Sequence, residues 1–281
     1  MRILWICLIF GSAHYSYAQS MAFSEGASQA GQANTGVAQT GLWAGGCNPA
    51  SVSGVEGLNI GLDCARPYLL QDVLCNGISI AMPVLAGAAL GCSIVNQGTI
   101  DFHEQVIGFS AARSFDKKVR AGVRFDYRRL ALGADYGRSH KVLVDAGVQT
   151  PIGKSISLGM CLSNCTRSRL SRSSDERYPV QLSTGFSYRF SAKVRLSLAL
   201  QKVLNNKASI RGGVEYHPMN SFFLRAGFDT SEQMLCFGMG WVKGAIQVDL
   251  ASGLHPVLGP TPQVSITYKK LKKNNAKNTA D

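Results

Sequence analysis

Metal binding or general acid–base chemistry would fall to His103, His140, His217 and His255, and each of these stands alone in the sequence. None has a second histidine four positions away, the spacing that puts two zinc ligands on one helix face, and no elbow-type serine lies near any of them. The cysteines beyond residue 18 are Cys47, Cys64, Cys75, Cys92, Cys161, Cys165 and Cys236. They repeat no metal spacing, and an odd number cannot close a disulfide framework. Cys161 and Cys165 are a candidate pair; the others read as small apolar fillers. GMGWVKG at 238–244 spaces its last glycine one residue too far for a dinucleotide loop and opens no helix, and the single Arg211-Gly212-Gly213 lies in a strand-like run. An esterase could assemble Ser and His from separate strands, but no residue demands it. The expectation is no catalytic residue, no metal and no cofactor.

Two other features remain. One is the uncharged stretch WAGGCNPASVSG at 43–54, in which Gly45 and Gly46 precede Asn48, Pro49 and Ala50. The other is a set of charges at even spacings within apolar runs: Arg120, Arg124, Asp126, Arg128, Asp145, Arg189, Arg195, Arg211, Glu215, Arg225 and Asp249. Both depend on the elements that carry them.

From residue 57 onward, short segments of alternating polarity follow one another with turn residues between them, the pattern of a sheet. In VQLSTGFSYRF, Val180, Leu182, Phe186, Tyr188 and Phe190 share one face, and Gln181, Ser183, Ser187 and Arg189 share the other. The segments expected are 57–64, 73–82, 86–95, 104–115, 119–132, 140–150, 155–164, 180–190, 193–203, 208–217, 221–228, 233–241, 244–252 and 262–268. Tight connections alternate with longer ones, as in an outer-membrane barrel with an even strand number and both chain ends on the periplasmic side. Phe115, Phe190, Tyr216, Phe222, Trp241 and Tyr268 close strands on the apolar face at the tight-turn rim, where a lipid headgroup boundary favours aromatic rings. The fold class expected is therefore all-β, a transmembrane antiparallel barrel of about fourteen strands.

An Arg on a lipid face costs roughly 2–4 kcal/mol near the midplane, so the charged face belongs to the lumen. Two roles stay open for it: a structural network of mutually satisfied pairs, or a ligand role in which Arg124, Arg189 or Arg211 steadies an anionic headgroup.

The rival reading concerns ISIAMPVLAGAALGCSIV at 78–95, which is long enough for a spanning helix. Pro83, Gly87, Gly91 and the β-branched residues at its ends favour two strands turning at 83–86. Residues 1–18 read as a secretory signal, with Arg2 before an apolar run and Ser16-Tyr17-Ala18 as the cleavage site. The net charge of +12 could point to nucleic acid, but export argues against it, and Lys269, Lys270, Lys272, Lys273 and Lys277 concentrate the excess in a tail at 269–281 expected to be disordered and periplasmic.

Residues 19–56 are then the one sizeable part not used for strands. A fourteen-stranded lumen is wider than side chains alone can fill, so this segment is expected to fold into it as a hatch. Gly41, Gly45 and Gly46 would permit bends there, and Pro49 would fix the last turn before the wall.

GASQAGQANTGVAQTGLWAGGCNPASVSGV resembles the N-terminal hatch of the FadL-like superfamily of outer-membrane transport proteins, with its Gly/Ala-rich lead and Asn-Pro-Ala step. RLALGADYGRSHKVLVDAGVQTPIGKSISLGMCLSN, YPVQLSTGFSYRF and GGVEYHPMNSFFLRAGF are similar to the PorV-like branch, which includes accessory barrels of type IX secretion. The resemblance implies a barrel embedded in outer-membrane lipid that transports or binds a hydrophobic or amphipathic, fatty-acid-like small molecule. It also implies a kinked third strand as a lateral opening, for which Gly87 and Gly91 are the candidates. The alternative it implies is an accessory barrel that docks a secretion-system protein or exported cargo. This sequence departs from the family in lacking acidic residues in the hatch and in having brief outer loops. Transport predicts a continuous apolar lining beside the hatch; docking predicts an exposed apolar rim, or a lumen sealed by Arg–carboxylate pairs.

Overall fold

The computed structural model describes residues 26–99, 102–116, 118–132, 137–169, 177–204 and 206–270. The secretory signal read at 1–18 and all but the first two residues of the basic tail lie outside them. The strands are β1 (Asn59–Ala65), β2 (Leu74–Leu85), β3 (Ala88–Gly98), β4 (Phe102–Phe115), β5 (Val119–Leu132), β6 (Arg138–Ile152), β7 (Ile156–Ser163), β8 (Gln181–Arg189), β9 (Val194–Val203), β10 (Ala208–Met219), β11 (Phe222–Asp229), β12 (Met234–Lys243), β13 (Ile246–His255) and β14 (Gly259–Lys269). Each pairs antiparallel with its neighbours in sequence. β1 also pairs with β14, from Asn59 opposite Lys269 to Ala65 opposite Gln263, which closes the barrel and leaves no free edge.

The alternation sorts side chains between two environments. Leu62, Ile78, Ile94, Phe109, Phe125 and Val142 point outward and are exposed, while Asp63, Ser79, Ser93, Arg124 and Asp126 point inward and are buried. On β4 the outward face carries Ile107, Phe109 and Ala111, followed by Arg113 and Phe115 at the tight-turn rim. The rim aromatics Phe115, Phe190, Tyr216, Trp241 and Tyr268 are exposed. Two carry cations over their rings: Arg113 lies 5.5 Å from the Phe115 centroid and Lys243 lies 6.0 Å from that of Trp241, as suits a headgroup boundary.

The hairpin at 74–98 corrects the sequence reading in two ways. Pro83 lies inside β2, not in the turn, and the ladder absorbs it through a register irregularity between Pro83 and Leu85. The turn falls at Ala86 and Gly87, where Gly87 takes the positive φ of 75° that the tight connection needs. β3 is paired along its whole length with both β2 and β4, and its ladder to β4 runs from Ala88 opposite Arg113 to Gly98 opposite His103 without a shift. At the two glycines named for a lateral opening, Gly87 shapes this turn and Gly91 lies in strand ladders paired on both sides.

Candidate functional site

Residues 26–56 form a helical turn at Ala27–Ala30 and 3-10 turns at Gly36–Ala38, Trp43–Gly46 and Pro49–Gly54, nearly all buried and packed on the inner wall. The wall admits this backbone because it presents glycine at the contact points. A side chain at Gly61 would overlap the Trp43 ring, one at Gly122 the Pro49–Ala50 backbone, one at Gly147 Asn48, and one at Gly159 the Val37 carbonyl. Gly213 and Gly227 do the same for the backbone of Gln32, and Gly238 for Gly31. Across β2, β3 and β4 the inward residues Ala81, Ala89 and Ala112 are small, and Leu42, Trp43, Val52 and Val55 fill the space they leave.

Asn48 is fully buried and holds this segment at its centre. Its Nδ2 donates to the Val37 carbonyl at 2.8 Å and reaches the wall carbonyls of Val148 and Met160 at 3.2 and 3.3 Å. Its Oδ1 accepts from the Ala50 amide at 3.0 Å, capping the turn that Pro49 opens. Gln149, one register step along β6 from the wall site of Asn48, places Nε2 within 2.9 Å of the Val37 carbonyl, the Gln39 carbonyl and Ser51 Oγ. Trp43 Nε1 donates to Thr267 Oγ1 at 2.9 Å, and Gln39 Nε2 donates to Ser197 Oγ at 3.0 Å. Gly45 and Gly46 lie in a 3-10 turn without the left-handed backbone that Gly41 adopts at φ 128°. Gly45 is tight against Val52, and Gly91 faces Ser110 and Val52. Gly45 and Gly91 thus make room for the segment.

The inward charges form pairs. Toward the tight-turn rim, Arg225 donates from Nε to Glu215 at 2.8 Å and from NH1 to Asp249 at 2.7 Å; Glu215 also meets Arg195 at 3.2 Å and His217 at 3.0 Å. Lys269 joins this row through Gln247, which donates to Asp249. Higher in the lumen, Arg124 pairs with Asp126 at 2.6 Å and donates to Ser93, Arg128 pairs with Glu104 at 3.0 Å, and Arg211 pairs with Asp229 at 2.7 Å. Asp145 accepts from the Asn164 amide at 2.8 Å. Two of the expected lumen residues sit apart from these rows. Arg189 is exposed at the tight-turn rim opposite Arg195, and half-buried Arg120 makes no ion pair among the described residues. The sequence reading passed over Glu104, Gln97, Gln149 and Asp229, all of which the structure buries on the inner wall.

The paired charges leave open space. On the long-loop side of the segment, a cavity of about 230 Å³ is lined by Val37, Trp43, Val95, Val106, Leu143 and Tyr178 together with Gln97, Arg124, Asp126, Arg128 and Asp145. A second, of about 170 Å³, is lined by Ala30, Ala65, Pro67, Tyr68, Cys75, Met234 and Cys236, and the two share Asn34, Gln97 and Arg211. A third, of about 380 Å³, lies on the tight-turn side, among Gln29, Leu42, Glu215, His217, Arg225 and Lys269. Burial, with the Glu104 carboxylate adding to it, raises the Tyr178 hydroxyl above its usual pKa, so a neutral phenol faces the upper space. The lining is mixed, which departs from the continuous apolar surface expected for a hydrophobic solute. Among the described residues no group of three His, Cys, Asp or Glu could hold a metal ion, and no disulfide forms.

No protein-family model and no curated protein sequence matches the chain. Solved structures do. The CymD monoaromatic hydrocarbon channel superposes with a TM-score of 0.66 at 15% identity, over 89% of this chain and 98% of that one. A Pseudomonas aeruginosa FadL homologue gives 0.64 at 11%, over 87% and 98%, and the Ralstonia pickettii toluene transporter TbuX gives 0.61 at 15%, over 89% and 99%. The chain thus shares the closed fourteen-stranded fold of these barrels.

Proposed function

We propose that this chain is an outer-membrane barrel that takes a small amphipathic molecule into the cavities on its long-loop side and passes it toward the periplasm when residues 26–56 shift. The observation that carries this reading is the arrangement of the space: two cavities with shared lining residues above the segment, one below it, and a lumen interrupted between them by a segment held through a few side-chain hydrogen bonds. Hydrocarbon and toluene channels among the structures of similar fold support a small-molecule cargo, and the mixed lining supports one with a polar end. In this reading the Arg–carboxylate rows are structural, and the lumen route replaces a lateral one.

Uptake of a labelled single-ring amphiphile by intact cells tests it. Cells expressing the chain should accumulate the compound faster than cells carrying the empty vector, and equal rates would overturn the reading. A second reading, an interaction barrel of the accessory kind, is favoured by Leu69, Leu70, Val257 and Leu258, which stand exposed on neighbouring long-loop connections. A docking barrel gives no uptake above the vector, so the same experiment separates the two.

A further inference from the structure

Gln97 lines both upper cavities, and the row of side chains it begins has a pattern of used and unused hydrogen bonds. Gln97 on β3 lies opposite Glu104 on β4, and Val95 lies opposite Val106 two residues below on the same face. Glu104, 3% exposed, spends both carboxylate oxygens: Oε2 accepts from Gln97 Nε2 at 2.6 Å and Oε1 accepts from Arg128 NH1 at 3.0 Å. This pins Gln97 and Arg128 and leaves Gln97 Oε1, an acceptor, and Arg128 Nε, a donor, buried without a partner. Gln97 is 7% exposed and borders both cavities, while Arg128 borders the larger. Unmet buried polar atoms are costly and uncommon, and here one of each kind belongs to a side chain that lines the larger cavity.

The chemistry that satisfies both is restricted. A hydroxyl donates to Gln97 Oε1 and accepts from Arg128 Nε. A carboxylate only accepts and would be repelled by Glu104; an ammonium only donates; a hydrocarbon does neither. Gln97, Glu104 and Arg128 together carry no net charge, which favours a neutral group. Around them Val95, Val106, Leu143 and the ring of Tyr178 offer an apolar surface. A cavity of roughly 150 Å³ is enough to hold benzene, so about 230 Å³ accommodates one ring with a substituent.

We propose that Gln97, Glu104 and Arg128 form a subsite for the hydroxyl of a small neutral amphiphile, a single-ring phenol or alcohol, whose hydrocarbon part rests on Val95, Val106, Leu143 and Tyr178. The proposal rests on the uptake reading and narrows its cargo.

Calorimetric titration of the purified, detergent-solubilised chain with p-cresol, toluene and 4-methylbenzoate, each against a detergent-only reference, tests it. The parent should bind p-cresol about tenfold or more tighter than either of the others, the preference expected of two modest net hydrogen bonds. Gln97→Met and Arg128→Lys, the second keeping the cation for Glu104, should each remove about half of that preference on a logarithmic scale, roughly a threefold loss of p-cresol affinity, and leave toluene unchanged, which shows that the cavity is intact. Equal affinity of the parent for p-cresol and toluene, tightest binding of 4-methylbenzoate, or variants that keep the full p-cresol preference would each overturn the subsite. In those cases uptake by cells still stands on its own measurement; absence of both binding and uptake removes the two readings together.

Discussion

Replacing Asn48 by Ala should undock residues 36–56 without disturbing the wall. The side chain makes a bond to the Val37 carbonyl, a bond from the Ala50 amide, and a shared contact with the wall carbonyls of Val148 and Met160, all in a fully buried setting. Val37 keeps Gln149 as a donor, so its loss is partial. At about 1 kcal/mol net for each bond, the variant forfeits about 2–3 kcal/mol, which raises the undocked population roughly 30- to 150-fold. The barrel ladder contains none of these bonds and is closed through β1 and β14. Hydrogen exchange read by mass spectrometry should show peptides from 36–56 exchanging faster by about that factor, while peptides from β12–β14 keep the parent rate. Exchange over 36–56 within about twofold of the parent, in a variant that assembles normally, would refute the role given to Asn48.

Four further outcomes are expected. Gly159→Val places a side chain against the Val37 carbonyl and should reproduce the exchange behaviour of Asn48→Ala; unchanged exchange would show that the wall glycines are not required for close approach. Arg225→Met leaves Glu215 and Asp249 buried without their shared cation, and should cost about 3–5 kcal/mol in denaturant unfolding from lipid vesicles; an unchanged midpoint would contradict the network. Cys165 is exposed beyond the end of β7 on the long-loop side, so a membrane-impermeant maleimide should label it in intact cells and not in Cys165→Ser; labelling only after the outer membrane is breached would invert the orientation. The detergent-extracted barrel should migrate faster unheated than boiled and give a β-rich spectrum, and a helical spectrum would exclude it.

The strand pattern was readable because each strand sits between lipid and a polar lumen, so its alternation survives in the local sequence. The run 119–132 reads the same from sequence and structure, and the fourteen-stranded closure follows from the alternation of short and long connections. What failed was local to β2 and β3. Pro83 is normally a turn signal, and only the pairing with β3 shows that a ladder irregularity accommodates it while Gly87 makes the turn. The upper cavity was hidden for a different reason. Parity places Gln97, Glu104 and Arg128 on the inner face, but that Glu104 lies opposite Gln97 and bonds to both side chains depends on register across three strands, which no single strand encodes. The same holds for the wall glycines. Gly61, Gly122, Gly147, Gly159 and Gly213 are spread through the sequence and acquire meaning as a set when the barrel brings them around residues 31–50. Parity could have separated these inward glycines from those in turns.

Single-channel conductance of the parent and of a variant lacking residues 26–46, each in planar bilayers, tests most directly whether this segment governs passage through the lumen. The parent should be closed or nearly so, and the deletion, with the barrel assembled to the same extent, should open a steady channel. Equal conductance from two correctly assembled proteins would contradict the central claim.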